Sequence, residues 1–189
     1  IFVVDASGSA AVARLAEVKG AVELMLAEAY VRREQAALIA FRGAVAQLLL
    51  PPTRSLVQAK RRLAALPGGG GTPLAAGIEA ALELADQLRR RGVTPFTLLL
   101  TDGRANVARD GRGGRLRAME DARAAARAFR AAGHAALLID ASARPHPAAA
   151  ELAAEMGAEV LALPRADAAA LSAAARAGAS AAAATAGRG

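Results

Sequence analysis

Apolar residues in this chain form two kinds of pattern: short unbroken runs, and longer stretches where they recur every three or four positions. The unbroken runs fall at residues 1–4, 96–100, 135–139 and 159–163. A strand covered by helices on both faces needs apolar side chains on both, so runs without polar alternation predict buried parallel strands. Two further runs, 36–41 and 44–50, lie either side of Arg42-Gly43. So short a connection predicts a hairpin, and hence one antiparallel edge strand beside an otherwise parallel sheet.

Helical spacing fills the intervals. Val12, Leu15, Val18, Val22 and Leu26 fall on one face, as do Leu74, Ile78, Leu82, Ala85 and Leu88. Before the second set, Thr72 is expected to act as N-cap and Pro73 as the first helical residue, where a missing N–H does no harm. Further helices are expected at 55–66, 116–132, 147–156 and 167–177. Strand and helix alternate, which predicts an α/β, doubly wound, mostly parallel sheet with helices on both faces. The domain is expected to span 1–177, with the Ala/Gly-rich stretch 178–189 a disordered tail. The polar, glycine-rich stretch 105–115 reads as a mobile loop.

Composition sharpens this picture. A chain of 189 residues suffices for one α/β core. Hydrophobic residues make up 54%, many of them alanine, and aromatics only 3%, so the core should be aliphatic. The absence of cysteine excludes disulfides and thiolate metal sites and is compatible with the cytoplasm, the expected location. No apolar run approaches the roughly 18–20 residues a spanning helix needs, so no membrane span is expected. The chain opens inside an apolar run without an initiator Met or a leader-like segment, and reads as part of a longer protein. The net charge is +7, and of the 24 Lys and Arg residues only Lys19 and Lys60 are lysines. The arginines are scattered, and no aromatic stacking residues lie among Arg32-Arg33, Arg61-Arg62, Arg89-Arg90-Arg91 or the looser run from Arg104 to Arg117, so nucleic acid is not expected. A solvated face, or a surface for an acidic protein partner, accounts for them better.

The chemistry begins at Asp5, Ser7 and Ser9. A turn leaving the first strand can direct three oxygens at alternating positions towards one centre. These are hard donors, suited to Mg2+, Ca2+ or Mn2+ rather than zinc. In doubly wound sheets ligands bind outside the carboxyl ends of the strands, where this turn is expected to lie. Singly, each serine also has an ordinary explanation as a helix cap.

The pattern Asp-x-Ser-x-Ser after an apolar strand resembles the metal-ion-dependent adhesion site of the von Willebrand factor A / integrin I-domain family. That family completes its site with a Thr from a second loop and an Asp ending a later strand. Thr72, closing the loop Gly68-Gly69-Gly70-Gly71, and Asp102, closing the run Thr97-Leu98-Leu99-Leu100-Thr101, match these in order. The resemblance implies Mg2+ held by Asp5, Ser7, Ser9, Thr72 and Asp102, with Mn2+ or Ca2+ as substitutes. With only two formal negative charges facing it, such an ion seeks a further carboxylate, which a partner protein would supply.

The segments Ala37-Leu38-Ile39-Ala40-Phe41-Arg42-Gly43, Leu48-Leu49-Leu50-Pro51-Pro52-Thr53-Arg54-Ser55 and Leu66-Pro67-Gly68-Gly69-Gly70-Gly71-Thr72-Pro73-Leu74 closely resemble the C-terminal domain of magnesium chelatase D subunits. Thr101-Asp102-Gly103-Arg104-Ala105-Asn106 continues the match, and the Ala- and Arg-rich style resembles the bacteriochlorophyll-making bacterial type. The resemblance implies a docking domain that supports ATP-dependent Mg2+ insertion into protoporphyrin IX. Its partners would be the AAA+ ATPase subunit and the porphyrin-binding catalytic subunit of magnesium chelatase, reached through a partner carboxylate. In integrin-like relatives the last helix shifts with the state of the metal site, which would give 167–177 a part in transmitting partner binding.

No phosphate-cradling Gly-x-x-x-x-Gly-Lys-Ser/Thr occurs in the sequence, so ATP hydrolysis is not expected of these residues. The alternatives are a docking domain of another AAA+-linked complex such as cobalt chelatase, or a Mg2+-dependent hydrolase. The hydrolase would need a general base near the ion, for which only Arg104 and Asp110 stand nearby. Asp140 and Ser142 echo the first motif without its second serine and read as a loop or cap. His134 and His146 have no supporting partners and read as structural.

Overall fold

A computed structural model of the protein describes residues 1–7, 23, 26–27, 29–65, 68–142, 146–162, 173–174, 176–178, 180 and 184. In chain order the elements are β1 (Phe2–Asp5), β2 (Ala36–Arg42), β3 (Val45–Thr53), α1 (Leu56–Ala64), α2 (Leu74–Arg90), β4 (Phe96–Thr101), α3 (Arg115–Ala131), β5 (Ala135–Asp140), α4 (Pro147–Met156) and β6 (Glu159–Ala162). The strands form one sheet in the order β3-β2-β1-β4-β5-β6. Every neighbouring pair is parallel except β2 with β3. The expected architecture is therefore the observed one, including the antiparallel edge.

The two faces of the strands explain the unbroken apolar runs. Val3, Ile39, Leu99 and Leu138 point to one side, where they pack with Leu74, Ile78 and Leu84 of α2, Phe129 of α3 and Leu152 of α4. Their neighbours Phe2, Val4, Leu38, Leu98, Leu100, Leu137 and Ile139 point to the other, with Leu26 and Ala59. One-residue alternation thus feeds two cores from a single sheet.

Most boundaries move by a residue or two from those expected, but β3 runs three residues further, through Pro51 and Pro52 to Thr53. Proline lacks the ladder N–H and is tolerated there because β3 is an edge strand. The β2–β3 register also shifts twice between Ala36 and Ile39. Residues 105–115, expected to be mobile, are tied instead. Val107 bridges Gly113, and the Ala108 N–H donates to the Arg112 carbonyl at 2.9 Å. Glu23, Leu26, Ala27 and residues 29–31 are helical, as expected for 12–26, and so are 173–174 and 176–178. The remainder of these two expected helices lies outside the described residues. Of the expected tail 178–189, the described Gly178, Ser180 and Ala184 are helical, and the rest lies outside them.

Helix α2 approaches the sheet closely because it carries Gly77. A Cβ built there would lie 2.5 Å from Cδ1 of Phe41, a ring with no exposed surface. Phe41 in turn pairs with Asp5 across the β1–β2 ladder, so this contact fixes the backing of the strand end that matters for function. Gly77→Ala should lower stability by about 1–3 kcal/mol, because overpacking a buried ring outweighs the ~1 kcal/mol that alanine adds to a helix. Urea unfolding followed by circular dichroism measures this, and a stabilised variant would contradict the packing argument.

Candidate metal centre

Parallel pairing of β1 with both β2 and β4 brings the Asp5 and Asp102 turns to one sheet edge. Asp5 is the last residue of β1. The chain then leaves the sheet, with the Ala6 N–H still donating to the Phe41 carbonyl at 3.1 Å. Asp5 Oδ1 accepts from the Ser7 N–H at 3.0 Å and from Ser7 Oγ at 2.5 Å. The aspartate thus folds its own exit turn and orients the first serine.

The glycine-rich loop reaches this turn from 65 residues away. Gly69 N–H donates to the Ala6 carbonyl at 3.0 Å. Thr72 Oγ1 then lies 2.6 Å from Ser7 Oγ. The single hydroxyl proton of Ser7 goes to Asp5, so with Asp5 ionised Thr72 is the donor to Ser7. Thr72 is not the N-cap expected of it. The capping position of α2 is Pro73, with no side-chain cap bond, because the threonine hydroxyl is turned to Ser7 instead.

Asn106 holds Thr72 in place from the far side. Its Oδ1 accepts the Thr72 N–H at 2.6 Å, and its own N–H donates to the Thr72 carbonyl at 3.2 Å. Gly71 leaves the necessary room, since a Cβ there would run into Val107 and would lie 2.9 Å from the Gly43 carbonyl. The end of β4 and the residue after it contribute two neighbours with different tasks. Thr101, fully buried, donates from Oγ1 to Asp5 Oδ2 at 3.2 Å and accepts the Gly103 N–H at 3.2 Å. Asp102 Oδ1 accepts the Arg104 N–H at 3.0 Å.

Asp5, Ser7, Thr72 and Asp102 are therefore gathered at one edge, whereas Ser9 lies outside the described residues. Reasoning from sequence missed Thr101 and Asn106 as positioning residues. A polar residue closing an apolar run was the available signal for Thr101; nothing local marked Asn106. Asp140 accepts the Ser142 N–H at 2.8 Å, a loop role as expected. His146 Nδ1 caps α4 by accepting from the Ala148 N–H at 3.1 Å, and His134 Nε2 lies 2.7 Å from Asp86 Oδ1. Asp110, the base a hydrolase would have needed, is engaged by Arg117 at 3.4 Å and by the Arg112 N–H at 3.0 Å.

The donors that converge are carboxylate and hydroxyl oxygens, a set that fits a hard dication. Among the described residues no group of three His, Cys, Asp or Glu side chains is placed for a metal. Among the described residues, the Ser7 and Thr72 hydroxyls are what an ion at this edge would find besides the two carboxylates. Burial pushes Asp5 up to about 6, and the nearby Asp102 adds to this, against hydrogen bonds from Ser7 and Thr101 that pull it down. A carboxylate held at such a cost is what a bound cation would relieve.

Comparison with known proteins agrees with the fold. Residues 1–104 match the model of the von Willebrand factor type A domain, and the chain belongs to that family. It is 59% identical over 168 residues to the magnesium-chelatase 60 kDa subunit of Cereibacter sphaeroides, covering 89% of this chain and 30% of that protein. It is 52% identical over 108 residues to the magnesium-chelatase 67 kDa subunit of Chlorobaculum parvum, covering 57% of this chain and 17% of that protein. The chain thus spans less than a third of the length of these relatives. A von Willebrand factor type A structure from Catenulispora acidiphila superposes with a TM-score of 0.63 at 18% identity, over 96% of this chain and 41% of that one. No helix among the described residues is long and apolar enough to cross a membrane.

The Asp5 environment generates a sign-specific prediction for the metal-free chain. The folded state keeps the Asp5 proton up to about pH 6, whereas the unfolded chain releases it near 3.8. More protons are bound in the folded state between those values, so this group's contribution to stability falls as pH rises through that window. Asp5→Asn should therefore be more stable than the parent in EDTA at pH 7–8, by up to roughly 3 kcal/mol, and should lose that part of the pH dependence. Urea titrations across pH measure it, and a less stable variant would mean that the Ser7 and Thr101 bonds outweigh burial.

Proposed function

We propose that this chain is the metal-dependent protein-docking domain of a magnesium chelatase D-type subunit, supporting ATP-dependent Mg2+ insertion into protoporphyrin IX in bacteriochlorophyll biosynthesis in the cytoplasm. Asp5, Ser7, Ser9, Thr72 and Asp102 would hold the resident ion, Mg2+ with Mn2+ or Ca2+ as substitutes. When bound, the ion supplies a Lewis-acidic position that a partner carboxylate can occupy. Asp5 orients Ser7, Thr101 orients Asp5, and Asn106 fixes Thr72. The partners are the AAA+ ATPase subunit and the porphyrin-binding catalytic subunit.

The observation that carries this reading is the 2.6 Å contact between Ser7 Oγ and Thr72 Oγ1. Two hydroxyls from distant segments meet beside a half-buried carboxylate, and the threonine gives up its ordinary capping role to do so. High identity to magnesium-chelatase subunits favours that complex over cobalt chelatase.

Calorimetric titration with the magnesium chelatase ATPase subunit, in Mg2+ and then in EDTA, tests the proposal. Binding should require Mg2+ and should disappear in Asp102→Ala and Ser7→Ala, while circular dichroism shows the sheet intact. Undiminished binding in EDTA would sink the metal-bridged mechanism. Asn106→Ala should weaken Mg2+ affinity by about 10–100-fold, the usual effect of removing an outer support of a ligand. Direct Mg2+ titration reads this out, and unchanged affinity would remove Asn106 from the site.

A further inference from the structure

Four arginines lie on the segments that carry or adjoin the candidate centre, and none of them is engaged in an ion pair among the described residues. Arg42 closes β2, one residue past the Phe41 that pairs with Asp5. The turn that follows lies against the glycine-rich loop: Cβ atoms built at Gly70 and Gly71 would lie 3.1 Å from Gly43 N and 2.9 Å from its carbonyl oxygen. The Arg42-Gly43 turn thus flanks the loop that carries Thr72. Arg104 flanks the Asp102 side, its N–H donating to that carboxylate. Arg112 sits in the tied loop, and Arg115 follows Gly114, whose N–H donates to the Asn106 carbonyl at 3.1 Å. All four are exposed.

Other arginines nearby are spent on the chain's own acids. Arg109 pairs with Glu79 at 2.6 Å and with Asp121, Arg117 with Asp110, Arg123 with Glu151 at 2.7 Å, and Arg127 with Glu155. Among the described residues the acids nearby are Asp5, engaged by Ser7 and Thr101, Asp102, engaged by the Arg104 N–H, and Asp110, engaged by Arg117. Among the described residues these cations therefore have no acidic partner at this edge.

We infer that the segment docking at this centre is an acidic peptide, in which the carboxylate that reaches the ion is flanked on both sides by further carboxylates seated on Arg42 and on Arg104, Arg112 and Arg115. This rests on the docking function proposed above and narrows its partner. A lone carboxylate would satisfy the centre and leave the guanidinium rim bare. Planar guanidinium groups suit carboxylates through paired N–H donors, and exposed pairs of this kind add modest affinity and faster, salt-sensitive association. A polynucleotide would want aromatic stacking residues, of which the rim has none.

Two fluorescein-labelled heptapeptides test this by anisotropy. One carries a single central glutamate among Gly and Ser, and the other adds an aspartate two residues to each side. In Mg2+ at about 50 mM salt the second should bind about five- to tenfold more tightly. That advantage should vanish in Arg42→Gln/Arg104→Gln/Arg112→Gln/Arg115→Gln and at about 0.5 M salt, with circular dichroism unchanged. Equal affinity of the two peptides, no measurable binding of the second, or an advantage that survives in the variant would overturn the inference. So would an oligothymidylate that displaces the acidic peptide at lower concentration than unlabelled peptide does. An arginine-dependent advantage that persists in EDTA would support the rim while removing the metal-bridged mechanism, so the two ideas fail separately.

Discussion

Two carboxylates at the ends of adjacent central strands are the constraint around which this domain is arranged. β1 and β4 are neighbours in the parallel sheet, so Asp5 and Asp102 must share one edge. Burial raises the proton affinity of Asp5, and the like charge of Asp102 adds to it. Everything nearby answers that strain. Ser7 and Thr101 donate to Asp5, and the turn amide of Arg104 donates to Asp102. The site is tolerable without an ion because these donors are present, and it suits an ion because they do not neutralise it.

The loops are then explained by what the site needs. A hydroxyl had to arrive from outside the sheet, and it comes on a glycine-rich segment because side chains there would collide with Val107 and the Gly43 backbone. The threonine is held by both its amide and its carbonyl to Asn106. A third loop, after β4, thus positions a threonine carried by the second. This coupling explains why residues 105–115 are tied down despite a composition rich in glycine and charge.

Much of this was legible in the chain. Unbroken apolar runs announced buried strands, and the short link at Arg42-Gly43 announced the antiparallel edge. The extension of β3 through Pro51 and Pro52 was hidden, because proline argues against strand unless edge position is already known. Thr72 was legible as a member of the Asp5 edge and misleading as a cap. Helix starts and oxygen-lined sites ask for the same residue type, and the partner seen in space, Ser7 rather than a backbone amide, excludes the cap. Thr101 and Asn106 act through contacts across 96 and 34 residues, a range that local pattern does not report.

Gly103 has a mechanical meaning beyond its place in the turn after Asp102. Its φ is +75°, and a Cβ on it would lie 2.5–2.6 Å from the backbone of Ala148 and Ala149 in the first turn of α4. Main chain therefore rests on main chain, with no side chain between them to act as a cushion. Rotamer changes ordinarily absorb small displacements between packed elements, and here there are none to make. The residue following one acidic group of the centre is thus geared to a helix on the outer layer, so that neither can travel far without carrying the other.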